Sequence, residues 1–228
     1  MYFIGIDDTD NLESRGTGHL ARSIAAELER DYPVLGVTRH QLLDDPRVPR
    51  TKKNSCAAIA LDVNGQTSPS ALLERVRALM LDDFQPGSDP GLCVCRDVPQ
   101  AITAFGRQAQ QELLDQSQAW ALAETHDILL QGLGGTQDGV IGALAAVGLA
   151  TSGDDGRYVM VGRSRQLSGL QPVAALLAAG IRAVQTLDGQ PVREGLVQTD
   201  KLRPARRSGQ PIAVVEWAGG YWQPLKLD

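Results

Sequence analysis

The chain has 228 residues, 43% of them apolar, and a formal net charge of −5 at pH 7. A chain of this length buries one hydrophobic core or a large one and a small one, and its negative charge excludes a general, charge-driven affinity for nucleic acid or anionic membranes. Its apolar runs stay below the roughly 20 residues that cross a bilayer, and its first residues lack the basic and apolar regions of an export signal. The sequence therefore predicts a soluble, cytoplasmic protein with no membrane partner.

Strand-like and helix-like segments alternate over the first 150 residues. The predicted strands are apolar runs within "YFIGI", "VLGVTR", "CAAIALDV" and "GSDPGLCVCRD". Segment 18–32 predicts a helix because its apolar residues fall on one helical stripe, and Ser68 and Pro69 suit the N-cap and N1 positions of a second helix. A helical region, in one piece or two, is predicted from Asp97 to about Thr125. This alternation predicts a mixed α/β (α+β) fold with helices layered on a sheet.

The character of the sequence changes near residue 153, which divides a predicted domain at 1–153 from a smaller β-rich lobe at 154–228. Short β-like runs separated by Gly, Pro and Arg predict antiparallel strands in this lobe. Trp217, in "EWAGGYWQPL", is predicted to pack into the core, and the alternative is a contact surface that it forms with Tyr221 and Trp222.

Three carboxylates, Asp7, Asp8 and Asp10, follow the first predicted strand directly. Side chains alternate along a strand, so Asp8 and Asp10 point the same way if the extended geometry continues past Ile6. Two carboxylates on one side repel each other unless a cation lies between them, and Mg²⁺ prefers oxygen ligands of this kind. On spacing alone, a turn capped by Asp10 or Asn11 is an equally good interpretation.

The next residues favour the metal site. Gly16, Thr17 and Gly18 lie at the start of the following helix, where unpaired N–H groups and the positive end of the helix dipole attract phosphate. Neither a Walker A loop nor a G-x-G-x-x-G pattern is present in the sequence. The order of strand, acidic tip, Gly-Thr-Gly and helix therefore predicts a metal-and-phosphate site of another type.

Five segments, in this order, resemble a known motif series: "IGIDDTDN", "GTGHLA", "PRVPRTKKNSCAAIAL", "DPGL" and "GTQDGVIGALAAVGL". The series is that of the N-terminal kinase-like domain of the tRNA-isoleucine agmatinylcytidine synthetase family, and the resemblance covers about residues 2–150. The sequence departs from the family at Gly18 and His19, where the family has threonine and tyrosine, and at Lys52 and Lys53, where Arg-Gly is typical. It also has no cysteine set for the zinc ribbon of that family, so the resemblance implies a shortened relative.

The resemblance implies a domain that binds ATP and magnesium, with a threonine early in the helix that becomes phosphorylated while a tRNA cytidine is activated. Asp7, Asp8 and Asp10 match the acidic motif, and Thr17 matches that threonine. Further matched positions lie in the two later motifs: Thr51, Asn54, Gly139, Gly142 and Ala143.

Two functions of different classes remain open. The first is an ATP- and magnesium-dependent phosphotransferase or ligase-like enzyme whose acceptor is a small molecule or a nucleotide base. Its predicted catalytic residues are Asp8, Thr17, Lys52 and Lys53, its metal ligands Asp7, Asp8 and Asp10, and its nucleotide contacts Gly16, Thr17, Gly18, Thr51, Asn54, Gly139 and Gly142. The second is a non-catalytic nucleotide-binding or interaction module.

Two partner questions also remain open. The basic segment "KLRPARRSG", with Arg206 and Arg207, could meet the phosphates of tRNA, but it lacks the aromatic residues that stack on bases. The sequence also leaves a homo-oligomer open.

Overall fold

The computed structural model of the protein describes residues 1–51, 53–63 and 65–227. These residues fall into two compact units, Met1–Ser152 and Gly153–Asp228, called here the N-terminal and C-terminal units. Within the described ranges, no helix has the length and apolar character that crossing a bilayer requires. The assignment of separate functions to a 1–153 and a 154–228 domain stays a prediction.

The N-terminal unit is a five-stranded sheet covered by helices. Its elements are β1 (Tyr2–Asp7), α1 (Thr17–Leu28), β2 (Val34–Gln41), β3 (Ser55–Leu61), α2 (Pro69–Asp82), β4 (Gly91–Cys95), α3 (Gln100–Gln108), α4 (Gln116–Thr125), β5 (Leu129–Gly132) and α5 (Gly139–Ser152). The strand order is β5-β4-β1-β3-β2, and every neighbouring pair is antiparallel. The structure confirms the predicted mixed α+β fold. Strand β5 was not predicted, because its four residues are too few to give a periodic signal.

Local sequence signals explain the helix boundaries of this unit. The Ser68 hydroxyl accepts a hydrogen bond from the Ala71 N–H at 3.1 Å and Pro69 opens α2, as predicted. The helical region after Asp97 is divided into α3 and α4, and Asp115 caps α4 in a reciprocal box with Gln118.

Helix α5 lies directly on the backbone of β1 and β4. A side chain added at Gly5 would collide with the carbonyl of Ala143, and one added at Gly91 would collide with the backbone of Gly139. The glycines of β1 and β4 therefore permit a close approach of helix and sheet that larger residues would prevent. This approach brings the start of α5 against the end of β1.

The C-terminal unit is β-rich, as predicted. It contains β6 (Arg157–Met160), β7 (Leu170–Pro172), α6 (Val173–Ala178), β8 (Ala183–Gln185), β9 (Leu196–Gln198), β10 (Ala205–Arg207), β11 (Gln210–Trp217) and β12 (Trp222–Pro224). The strand order is β6-β10-β11-β12-β9-β7, with β8 parallel to β11. Most pairs are antiparallel, and β9–β12 is parallel.

Two side chains of this unit lie in other environments than the sequence analysis proposed. Trp217 is 58% exposed and meets Trp222 in an edge-to-face contact with centroids 5.0 Å apart, so its prediction as a core residue is wrong. It is the last residue of β11, beyond the packed part of the strand. Arg206 is only 9% exposed, so a phosphate contact at the surface does not fit its position.

Candidate functional site

The acidic motif lies at the point where β1 ends. Asp7 is the last residue of the strand, and Asp8 has φ = 49°, in the left-handed region. The extended geometry therefore stops before Asp8, and strand alternation does not set the directions of Asp8 and Asp10 as the sequence analysis assumed. Aspartate is one of the few non-glycine residues that enters this region readily, and such conformations are common at functional sites.

The carboxylate of Asp7 packs against α5. A side chain at Gly142 would occupy the same space as the Asp7 carboxyl group, so only glycine leaves room for it. Enclosure away from water raises the pKa of Asp7 to about 8, and the charges of Asp8 and Asp10 add to the effect. A bound cation would oppose this rise, because a positive charge nearby favours the ionised carboxylate.

Asp8 has two acidic neighbours that the sequence analysis did not select. Desolvation raises the pKa of Asp8 to about 6, and the charges of Asp89, Asp10 and Asp138 contribute further. The sequence signal for both neighbours was present, since Asp89 belongs to "DPGL" and Asp138 to "GTQDGV". Together with Asp7, they form what we call the acidic cluster: Asp7, Asp8, Asp10, Asp89 and Asp138.

Asp89 is held by the loop that leads into α5, and Asp138 is held by the start of α4. The Thr136 N–H and hydroxyl donate to the two carboxylate oxygens of Asp89, at 2.9 and 2.7 Å. The side-chain amide of Gln116, at the start of α4, donates to the carboxylate of Asp138. Three separate parts of the chain therefore deliver the acidic cluster, which is why short-range spacing did not reveal all of it.

Asp10 differs from the other members because both of its oxygens accept hydrogen bonds from hydroxyl groups. Thr17 donates to Oδ1 at 3.1 Å, and Thr51 donates to Oδ2 at 3.0 Å. Thr17 is buried and in turn accepts a hydrogen bond from the Thr9 hydroxyl at 3.2 Å. The predicted residues Asp10, Thr17 and Thr51 are therefore in direct contact.

A cavity of about 530 Å³ opens beside the acidic cluster, within the N-terminal unit. The acidic cluster with Thr17, Gly139 and Gly142 forms one part of its lining, called here the acidic wall, and Arg47, Arg50, Thr51, Lys53 and Asn54 form another part, called the basic wall. Leu42, Leu114 and Ile141 contribute apolar surface. A cavity with charges of both signs and apolar surface has the composition that a phosphate-bearing organic ligand needs.

The basic wall belongs to the β2–β3 segment, residues 42–54, of which Lys52 lies outside the described residues. Asp45 accepts from the Nε and Nη2 atoms of Arg47, both at 2.8 Å, and Arg50 pairs with Asp44 at 2.8 Å. The Arg47 guanidinium holds the pKa of Asp45 well below its usual range. The two arginines are therefore already paired with carboxylates of their own segment.

Asn54 and the predicted glycines have identifiable structural roles. The Asn54 amide donates to the carbonyl of Leu43 at 2.9 Å and so closes the base of the β2–β3 segment. Gly139 and Gly142 line the cavity, but close packing already explains why neither has a side chain: Gly139 lies against the backbone of Asp89 and Gly91, and Gly142 against the Asp7 side chain. A side chain at Gly18 would meet open space among the described atoms, so packing does not explain that glycine.

The fit of a magnesium ion depends on the donor set. Carboxylate oxygens suit Mg²⁺, and the raised pKa values of Asp7 and Asp8 indicate that a cation would relieve their repulsion. In the part of the chain that the structure describes, no group of three or more His, Cys, Asp or Glu side chains is arranged to hold a metal ion. The predicted three-ligand site at Asp7, Asp8 and Asp10 stays a prediction, and the chemistry fits a cation with one or two protein ligands.

Comparison with known proteins confirms the resemblance found in the sequence. No family model matches the chain. A tRNA 2-agmatinylcytidine synthetase, TiaS, of Cenarchaeum symbiosum is 30% identical over 154 residues, which cover 64% of this chain and 32% of that protein. An uncharacterized protein of Methanocaldococcus jannaschii is 27% identical over 150 residues, which cover 64% of this chain and 49% of that protein. The chain thus spans about a third of the length of the first relative and about half of the length of the second.

Solved structures show a similar fold. A tRNA fluorescent labeling enzyme matches with a TM-score of 0.57 and 25% identity, over 64% of this chain and 35% of that chain. TiaS in a complex with an isoleucine tRNA and ATP matches with a TM-score of 0.56 and 24% identity, over 64% of this chain and 36% of that chain. The chain is therefore a relative of TiaS over a part of its length.

Proposed function

We propose that the N-terminal unit binds ATP with magnesium and transfers a phosphoryl group to a small molecule or a nucleotide base, as a phosphotransferase or ligase-like enzyme related to TiaS. The observation that carries the proposal is that one cavity is lined both by the acidic cluster and by Arg50 and Lys53. A nucleotide triphosphate needs a cation beside its phosphates and positive side chains to neutralise the charge that moves during transfer.

The roles of the residues follow from their positions. Asp7 and Asp8 would hold the magnesium ion, which supplies charge neutralisation at the phosphates when it is bound. Lys53, on the basic wall, would neutralise the charge of the transferred group. The other predicted lysine, Lys52, lies outside the described residues. In the transfer, an acceptor oxygen forms a bond to the γ-phosphorus while the bond from that phosphorus to ADP breaks.

The hydrogen bonds of Thr17 bear on its proposed role. The family motif implies a phosphate acceptor at this position, and a group that positions the phosphates is the alternative. Its hydroxyl is buried and already takes part in hydrogen bonds with Asp10 and Thr9. This arrangement favours a positioning role, with the acceptor entering from the open side of the cavity.

ATP turnover by the purified protein tests the proposal. Wild-type protein with magnesium should release ADP when candidate acceptors, including nucleosides and tRNA, are supplied. The solved TiaS complex contains tRNA and ATP as ligands of that protein, and tRNA is for this reason among the first acceptors to test. Absence of nucleotide binding with magnesium present would refute the proposal.

A second candidate, a non-catalytic nucleotide-binding or interaction module, has one observation in its favour. Trp217 is 58% exposed beside Trp222, and an exposed tryptophan at the end of a strand is suited to a protein contact. Nucleotide that raises the melting temperature without any turnover, over all acceptors tested, would favour this candidate.

A further inference from the structure

We propose that Asp10 is a positioning residue, which ties the β2–β3 segment to the start of α1. Each of its two carboxylate oxygens accepts a hydrogen bond from one threonine, Thr17 on α1 and Thr51 on the segment. A carboxylate that accepts two hydroxyl hydrogen bonds connects both donors with charge-assisted bonds, which are stronger than bonds between neutral groups.

The tie acts on a segment whose two ends are otherwise fixed at its base. The Leu42 N–H donates to the Asn54 carbonyl at 2.9 Å, and the Leu43 N–H donates to the Ala109 carbonyl at 3.0 Å. Beyond this base, Arg47 and Arg50 pair with acidic residues of the same segment. These internal pairs shape the segment but do not fix its distance from the acidic cluster, whereas the Thr51–Asp10 bond does.

The distance matters because the segment carries the basic wall of the cavity. Arg50 directly precedes Thr51 in the sequence, Lys53 follows it by two residues, and both line the cavity with it. A phosphate chain can contact the acidic wall through a cation and the basic wall through these side chains only if the two walls are held at a suitable separation. Asp10 therefore sets the width of the cavity through Thr51, in addition to contributing negative charge.

This inference deepens the proposed function but can be tested without it. Trypsin cleaves after arginine, and the bond between Arg47 and Val48 lies in the β2–β3 segment. A substitution at Thr51 does not alter the residues next to this bond, so it leaves the cleavage site itself unchanged. In protein treated with EDTA, to remove any cation, Thr51→Val deletes the hydroxyl and keeps the side-chain shape. We expect the initial rate of cleavage after Arg47 to rise about tenfold, since a hydrogen bond to a charged group is lost.

Four further variants show whether the change in rate comes from the loss of this tie. Asp10→Ala should raise the rate similarly, and the double variant should cleave no faster than either single variant, because both remove the same tie. Thr51→Ser restores the hydroxyl and should return the rate close to that of wild type. Thr103→Val is the matched control, because it deletes a hydroxyl contact of 3.1 Å with Thr151, between α3 and α5, and should leave this cleavage rate unchanged.

Two outcomes would overturn the inference: a wild-type cleavage rate in Thr51→Val, or a Thr51→Ser variant that behaves like Thr51→Val. Binding of a non-hydrolysable ATP analogue with magnesium gives a second measurement, and its affinity should fall in Thr51→Val and recover in Thr51→Ser. If wild-type protein binds no nucleotide, the proposed function fails while the trypsin result still decides whether the tie exists.

Discussion

The two walls of the cavity are built in opposite ways. The acidic wall rests on β1 and α5, whose backbones touch, and enclosure there raises the pKa of Asp7 to about 8. The basic wall is an exposed segment in which Arg47 and Asp45 neutralise each other, and the side chain of Arg47 is 70% exposed. The comparison teaches that the fold places closely spaced carboxyl groups on its tightly packed side, whereas the two arginines of the exposed side are paired with carboxylates of their own segment.

The largest effect is expected from removing a charge on the acidic wall. Asp8→Asn keeps a residue that tolerates the left-handed backbone but loses a carboxylate oxygen for the cation, so we expect magnesium-dependent ATP turnover to fall about 100-fold or more. Steady-state ADP release checks this. Asp127→Asn is the matched control, because Asp127 also has a positive φ, of 52°, and lies before the first residue of β5, away from the acidic cluster. Equal losses of turnover in both variants would contradict the role assigned to Asp8.

A change in α5 should be the next largest in effect. Gly142→Ala places a methyl group where the Asp7 carboxylate lies, and overpacking of this kind costs about 1–3 kcal/mol of unfolding free energy. Chemical denaturation measures it. Gly18→Ala, where the added methyl group meets open space, should leave the unfolding free energy unchanged or raise it by up to about 1 kcal/mol, and a loss equal to that of Gly142→Ala would contradict the packing argument.

The stability of the cation-free protein should depend on pH through Asp7. Its pKa is about 8 in the folded protein against an ordinary value of 3.8, so the folded protein binds more protons than the unfolded chain between these values. The unfolding free energy should therefore fall as the pH rises from about 4 to about 8. Thermal melts in EDTA across this range measure the slope, which Asp7→Asn should flatten and magnesium should reduce.

The control for this titration is Asp62→Asn, because Asp62 follows β3 at the opposite end of the sheet. It should keep the slope of the wild type. A slope that Asp7→Asn leaves unchanged would show that another group carries the pH dependence.

The smallest effect is expected from a substitution on the basic wall. Asp45→Asn removes the partner of an exposed arginine, and surface ion pairs contribute little to stability. We expect an unchanged melting temperature and a modest rise in nucleotide affinity, because Arg47 becomes available to phosphate. Titration with a non-hydrolysable ATP analogue measures this, and weaker binding would show that Asp45 shapes the segment for the ligand.

The sequence predicted those parts of the fold that depend on local signals. The strand before Asp7 and the α2 cap at Ser68 follow from neighbouring residues, and the helical region after Asp97 was found, although its division into α3 and α4 was left open. The acidic motif was also found, because three carboxylates directly after a strand are unusual. The roles assigned to these residues remain predictions.

Long-range contacts could not be predicted in the same way. Asp89 and Asp138 join the acidic cluster only because β4 and α5 pack against β1, and no spacing within either motif shows this. The exposure of Trp217 depends likewise on where β11 leaves the core, and the directions of Asp8 and Asp10 depend on one left-handed residue. Tertiary packing decides each of these features, and periodicity reports only on neighbours along the chain.

The direct contact of α5 with β1 and β4 also has a practical consequence for redesign. Gly5, Gly91 and Gly142 leave no space for even one added carbon atom, so libraries that vary this side of the cavity would mostly yield destabilised variants. Changes of charge in the exposed β2–β3 segment should cost far less, because surface ion pairs contribute little to stability. Attempts to alter the ligand preference of the cavity should therefore randomise residues 43–50 and leave the helix untouched.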